Sequence, residues 1–379
     1  MDTQKLLEER TRLFQDAIHL RNEGRVPLLS NIWTWKFLDE GYKLSEALYD
    51  WDIVSSVVEN HHRRYGFDAY NCFGVRNNMP TAKALGGGSH VINDEIDAIE
   101  VKDHCLLKAE ELDEYIQDPV ACMWTKVMPR VVNHPITMEA LRNAVLENAA
   151  YYDFVGNIYA KMMGEYAVMP TNASEASMPF ERYFNTLGGI KQTSIDVRRN
   201  LPKLKEFCDF LWENEQRPNL AAGLEMDYTG FMCCGAVGML SHVILNRKQF
   251  EALYWPYEKE YLDMASTRDT TIFMFIEGSV LRFADYFRDY PAGMMLFEIE
   301  QDDVREMRKQ LPNCAVAGGL SVDMLTNMTP QQAVKETQAL IDDIGNALVL
   351  SQNKMTSFRN DCRRNNLLAV NEFVKGYRL

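Results

Sequence analysis

Residues 271–287 read TIFMFIEGSVLRFADYF. From Thr271 to Ile276 the side chains are β-branched, aromatic or otherwise apolar, the pattern of a short strand buried on both faces. Glu277 and Gly278 close the strand, and a helical pattern over 280–287 follows. An acid at the tip of an apolar strand is either simple punctuation or a group held at the mouth of a barrel.

The flanking sequence favours the barrel. Downstream come a strand GMMLFEIE (293–300), a helix at 302–310, a strand CAVAGGL (314–320), a helix at 330–345, a strand ALVLSQN (347–353) and a closing helix at 359–376. Upstream, NLAAGLEMD (219–227) reads as a strand, followed by helices near 231–244 and 247–266. In the first half, 3–23 is an amphipathic helix, RVPLLSNIWTW (26–36) a strand, 44–66 a helix, FDAYNCFG (67–74) strand-like, and 136–168 helical. Short apolar strands alternating with helices imply βα units and a parallel sheet. No Gly-x-Gly-x-x-Gly follows a strand, which disfavours a dinucleotide-binding sheet. The expectation is an α/β fold, a (β/α)8 TIM-type barrel. It occupies 1–379 as a single domain, with 1–25 as an N-terminal helical extension and an inserted loop or hairpin region near 75–120.

Composition narrows the function classes. A formal net charge of −14 over 379 residues argues against a nucleic-acid binder, which needs a basic face. The longest nearly apolar run, 231–245, is shorter than the ~20 residues of a membrane span. Eight cysteines stand without Cys-x-x-Cys spacing, so neither a disulfide framework nor a zinc ribbon is indicated. The first twenty residues are charged and helical, unlike a signal peptide, so a reducing cytoplasm is expected.

In a barrel, function collects at the C-terminal strand ends. The ends as read above give Asn31, Trp33 and Trp35, then Asn71 and Cys72, then Glu225 and Asp227, then Glu277, then Glu298 and Glu300, then Cys314 with Gly318 and Gly319, and finally Ser351, Gln352 and Asn353. Trp33 and Trp35 are two apart and share a face if their strand continues. Facing inward they suit a flat aromatic ring; otherwise they are barrel packing.

The second half, FIEG followed by YPAGMMLFEIEQDDVREMRKQLPNCAVAGGLSVDML and TPQQAVKETQALID, resembles the uroporphyrinogen decarboxylase superfamily. The tail ALVLSQNKMTSFRNDCRRNNLLAVNEFVKGY matches its last strand and helix, with Asn366 and Ala369 in corresponding places. RVPLLSNIW, RRYGFDAYN and ALGG match more loosely. The superfamily's decarboxylases carry an arginine-rich stretch after the first strand that clamps substrate carboxylates, whereas this chain has LSNIWTWKFLDEG, with no arginine. The resemblance therefore implies the other branch, corrinoid-dependent methyltransferases. Its thiol-methylating members place His-x-Cys at a late strand end and a Cys on the last strand. Here those positions read Phe275-Ile276-Glu277 and Ser351-Gln352-Asn353, so soft-metal activation of a thiol is disfavoured.

What the resemblance then implies is a methyltransferase I of an O-demethylase system. It would move a methyl group from an aryl methyl ether to the cob(I)amide of a separate corrinoid protein, since no cobalamin motif occurs in this chain. Methylamine, halide or thiol chemistry, or a decarboxylase, are the alternatives. Zinc is typical of the branch. Glu277, Glu298 and Cys314 fall near three consecutive strand ends as read and are the expected ligands, with His242 or Glu300 as substitutes and a buried core thiol as the other reading of Cys314. Glu277 and Glu298 are the expected catalytic groups, by Lewis-acid or proton-donor help to the leaving oxygen. Asn31, Trp33, Trp35, Asp227 and Gln352 are expected to bind substrate. The expected partners are the corrinoid protein and a small methyl donor, with a homodimer as the candidate assembly.

Overall fold

The computed structural model describes residues 2–73, 78–132 and 134–379. Residues 75–77 of the expected insertion, and Gly74 at the end of the expected second strand, lie outside the described residues. The strands are β1 Leu29–Ser30, β2 Ala69–Tyr70, β3 His90–Asn93, β4 Ala98–Val101, β5 Met169–Pro170, β6 Asn172–Ala176, β7 Cys233–Met239, β8 Ile272–Ile276, β9 Met295–Ile299, β10 Ala315–Leu320 and β11 Leu348–Gln352. β3 and β4 form an antiparallel hairpin inside the expected insertion.

The remaining strands are all parallel. One sheet runs β1-β2-β5, and a second runs β11-β10-β9-β8-β7-β6. β5 and β6 are one stretch of chain parted only by Thr171. At the other seam, Leu28 bridges Leu350 and Ile32 bridges Thr356, and the Leu350 amide donates to the Pro27 carbonyl at 2.9 Å. Eight parallel stretches thus follow one another in chain order, but no continuous ladder closes them into the expected barrel. The ladders are short beside Pro27 and Pro170, which have no N–H to contribute, and β1 ends early because the chain turns into the helix Trp35–Asp39.

Alternation along the strands sorts the core into two. Leu29, Ala69, Met169, Phe273, Leu296 and Val349 belong to an inner cluster. Their neighbours Leu28, Ile272, Met274, Phe297, Leu348 and Leu350 pack in the larger cluster with the helices. Both faces are buried, as parallel strands require.

The N-terminal helix Thr3–Ile18, capped by Asp2, is more than an extension. Its Phe14, Ala17 and Ile18 are fully buried in the inner cluster, and Gln15 Nε2 donates to the Met232 carbonyl just before β7 at 3.0 Å. It therefore stoppers the end from which the strands start. Arg10 reinforces the same end, donating to the Tyr166 and Ala167 carbonyls at 2.8 Å each and pairing with buried Asp68.

Two stretches depart from the sequence reading. Residues 219–227 fall in the helix Arg217–Gly223 and the turn after it, whereas the apolar run expected to be a helix at 231–244 contains strand β7. The strand made by β5 and β6 lies just beyond the helical pattern of 136–168 and was not expected at all. Among the described residues, no helix is long and apolar enough to cross a membrane.

Candidate functional site

The C-terminal ends of the strands open on a cavity of about 240 Å³. Asn31 follows β1, Asn71 follows β2, Asn172 and Glu175 lie on β6, and Phe273 and Phe275 project from β8. The long helix Met138–Tyr166, started by the Thr137 side chain capping Ala140, runs past this opening. Tyr151, Phe154, Val155, Ile158 and Tyr159 of that helix line the cavity. They recur at the three- and four-residue spacing of one helical face. The helix is held there by rings: Phe154 stacks on Trp51 at 4.9 Å, and Tyr159 meets Phe73 edge-on at 4.9 Å.

A buried polar chain lies at the cavity floor. Glu298, 1% exposed, accepts from Ser351 Oγ at 3.1 Å and from Asn71 Nδ2 at 3.4 Å. Asn71 Nδ2 also donates to Asn31 Oδ1 at 3.2 Å. Asn31 donates its backbone N–H to Gln352 Oε1 at 2.8 Å and its Nδ2 to the Gln352 carbonyl. Burial disfavours the charged carboxylate and pushes the Glu298 carboxyl up to about 8, against the opposing pull of the Ser351 hydroxyl. At neutral pH most of Glu298 therefore holds its proton. Glu298 does not itself line the cavity; it orients Asn71, which does.

Glu277 is set at the tip of β8, its backbone amide donating to the Met239 carbonyl at 2.9 Å. Gly278 then turns the chain at φ +81°, a conformation that favours glycine, and its amide donates to Glu300 Oε2 at 2.5 Å. Glu277 and Glu300 line a second cavity of about 260 Å³. The two cavities share Trp33, Phe275 and Met355.

Several expected site residues lie elsewhere. Trp35 is not on a strand beside Trp33. It sits in the helix Trp35–Asp39, 3% exposed, with Nε1 donating to the Cys362 carbonyl at 3.1 Å and its ring against His61 and Tyr65. Asp227 is in the loop before β7, at the stoppered end, accepting from Thr229 and lining a groove with the N-terminal helix. Cys314 precedes β10 rather than ending it, so it too is at the strand-start end, fully buried in the outer cluster. Burial pushes its thiol up to about 12, as a core thiol rather than a ligand. His242 is buried, with Nε2 against the Ser279 carbonyl at 3.1 Å.

The expected zinc set therefore does not assemble: Glu277 and Glu298 lie towards the C-terminal ends of their strands, whereas Cys314 lies before the start of β10. Among the described residues, no group of three His, Cys, Asp or Glu stands ready for a metal. Glu175, Asn172 and the aromatic face of the long helix are lining residues that the sequence reading did not select.

No family model and no curated protein matches this chain. Among the solved structures that match, one does so end to end. It is described as a methyltransferase from Methanosarcina mazei, with a TM-score of 0.62, 11% sequence identity, and coverage of 98% of each chain. At that identity the likeness carries the mixed α/β fold with its parallel strands, and no more.

Proposed function

We propose that this chain is a cytoplasmic methyltransferase of the corrinoid-dependent kind, its eight parallel stretches acting as one TIM-type barrel. In this reading the mouth cavity seats a small methyl donor, and the methyl acceptor is the cob(I)amide of a separate corrinoid protein docked over the mouth. The observation that carries it is the cavity itself. Aromatic side chains from the long helix and from β8 line one cavity together with Asn31, Asn71 and Glu175 towards the C-terminal strand ends, where barrel enzymes keep their chemistry. The fold shared with a methyltransferase and the resemblance of the second half of the sequence both favour methyl transfer.

The task left to such a protein is alignment. A methyl group is displaced in line, so donor and acceptor must be held on opposite sides of one carbon. Trp33, Phe275, Tyr151, Phe154 and Tyr159 all bound the seat. Asn71, fixed by Glu298 and Asn31, offers a rigid amide at the floor. Ring contact of this kind serves an aryl methyl ether, the donor expected from the sequence, and a methylated amine alike, so the walls by themselves do not choose the donor. Glu277, Glu298 and Cys314 do not come together, so the residues present do not fit a zinc ion held by that set.

The test is anaerobic absorbance spectroscopy of a cob(I)amide-loaded corrinoid protein mixed with the full chain and a panel of methyl ethers and methylated amines. Loss of the cob(I)amide band with one donor, dependent on this chain, is the expected result. If no donor in the panel produces it, the methyl-transfer reading fails.

A further inference from the structure

We infer that the mouth cavity is built for a cationic methyl donor, a quaternary or tertiary N-methylated ammonium, rather than for an ether or an anion. This deepens the methyl-transfer reading and rests on it for the reaction, though not for binding.

Three observations converge. The first is charge. Among the described residues lining the main cavity, Glu175 is the only ionisable group other than the cysteine and tyrosines, and no lysine, arginine or histidine is present. The adjoining cavity adds Glu277 and Glu300, and the one cation among its described lining residues, Lys354, is paired with Asp361 at 3.0 Å. Among the described residues of the two cavities, an anionic ligand would find no unpaired counter-charge.

The second is the direction of the hydrogen bonds. The floor amides turn their N–H groups toward the protein: Asn31 Nδ2 to the Gln352 carbonyl, Asn71 Nδ2 to Asn31 and Glu298, and Asn172 Nδ2 to the Ser174 carbonyl at 2.9 Å. Oxygens are what remain on the floor, Asn71 Oδ1 and the Glu175 carboxylate among them. The floor amides therefore offer an ether oxygen no N–H, and a donor for it would have to come from the Trp33 indole, Cys72 or the tyrosine hydroxyls of the wall. An N-methylated ammonium needs no donor and carries the complementary charge.

The third is the aromatic lining. Trp33, Phe273, Phe275, Tyr151, Phe154 and Tyr159 all contribute to the cavity wall. Ring faces attract a cation through their quadrupole, and do so most for a weakly hydrated ammonium whose charge is spread over methyl groups. Aromatic walls with one carboxylate are the chemistry that separates such a cation from its neutral carbon isostere.

The transfer balances without an acid. The acceptor supplies the electron pair of the new bond to the methyl carbon, the carbon–nitrogen bond breaks with its pair staying on nitrogen, and a neutral amine leaves. No proton has to reach the leaving group, which fits a Glu298 that stands behind the floor rather than in the cavity.

The experiment is isothermal titration of the full chain, without any corrinoid partner, using choline and its uncharged isostere 3,3-dimethylbutan-1-ol, with tetramethylammonium and veratrole alongside. The expected result is that choline and tetramethylammonium bind, that the isostere binds about ten-fold more weakly or not at all, and that Glu175→Gln narrows the gap while leaving isostere binding unchanged. Equal binding of choline and the isostere overturns the inference whatever the variant does. Binding and methyl transfer by veratrole with no ammonium bound overturns it too, and leaves methyl transfer standing. Binding of ammonium compounds as expected, with none of them or any ether methylating cob(I)amide, upholds the cation seat and removes the methyl-transfer reading.

Discussion

Replacing Glu298 by glutamine should change the pH dependence of stability in a direction the structure dictates. In the folded chain burial raises the carboxyl from 4.5 to about 8. The native state therefore holds one more proton than the unfolded chain between those values, and stability falls as pH rises through that window. Below it both states are protonated and the stability is fully present; above it no more is lost. At ~1.36 kcal/mol per pH unit, the wild-type loss attributable to this group approaches ~5 kcal/mol, an upper value because water entry on ionisation would reduce it. Glutamine abolishes the titration but meets its neighbours imperfectly. Ser351 Oγ and Asn71 Nδ2 both donate to the carboxyl, and an amide accepts at only one atom, a mismatch costing about 1–2 kcal/mol. Glu298→Gln should therefore be the less stable protein near pH 5 and the more stable one near pH 8.5. Urea denaturation of both proteins at half-unit steps across that range measures the difference directly. A wild-type-minus-variant difference that does not move with pH would show that Glu298 is already ionised at neutral pH, and the account of the floor network would have to be rebuilt.

Asp227→Ala and Cys314→Ala, both remote from the mouth, should leave methyl transfer within about two-fold of wild type, and a hundred-fold loss in either would contradict their placement. Trp33→Ala should weaken donor binding about ten-fold by titration with little effect on stability. Trp35→Ala should do the reverse, costing about 3–5 kcal/mol in denaturation while donor affinity stays put. Asp68→Asn should cost about 3–5 kcal/mol, because it breaks a buried pair in which Arg25 reaches both carboxylate oxygens at 2.6 Å. A loss under about 1 kcal/mol would mean that the pair merely offsets its own desolvation.

The late strands were legible because each is a short apolar run bracketed by turn and helix signals; that pattern set Glu277 at the tip of β8 and Glu298 near the end of β9, but not that Glu298 is buried behind the cavity floor. Residues 219–244 were not, because an apolar run containing Gly235 and Gly238 fits a buried strand as well as a helix. Taking it as a helix shifted the preceding strand to 219–227 and carried Asp227 to the wrong end. Cys314 was misplaced by direction: in a parallel ring all strands start at one end, and a residue before β10 cannot meet residues after β8. Trp35 followed from extending β1 past Ser30, although Thr34 already begins a helical turn. The stripe of Tyr151, Phe154, Val155, Ile158 and Tyr159 was visible as helical spacing, but nothing in one sequence tells a face over a cavity from a face over a core. Asn172 and Glu175 sit on a strand interrupted by Pro170 and rich in small polar residues, where the β signal is weakest.

The helix that stoppers the strand-start end has a kinetic meaning. With Phe14, Ala17 and Ile18 filling that end, the proposed reaction leaves the mouth as the way in for the donor, and a protein large enough to deliver a corrinoid would stand in that same mouth. Donor and partner then cannot arrive in either order: the small molecule must enter first, and the spent amine must wait for the partner to leave. Turnover under the proposed reaction should follow a compulsory sequence, with excess partner acting as an inhibitor competitive with the donor.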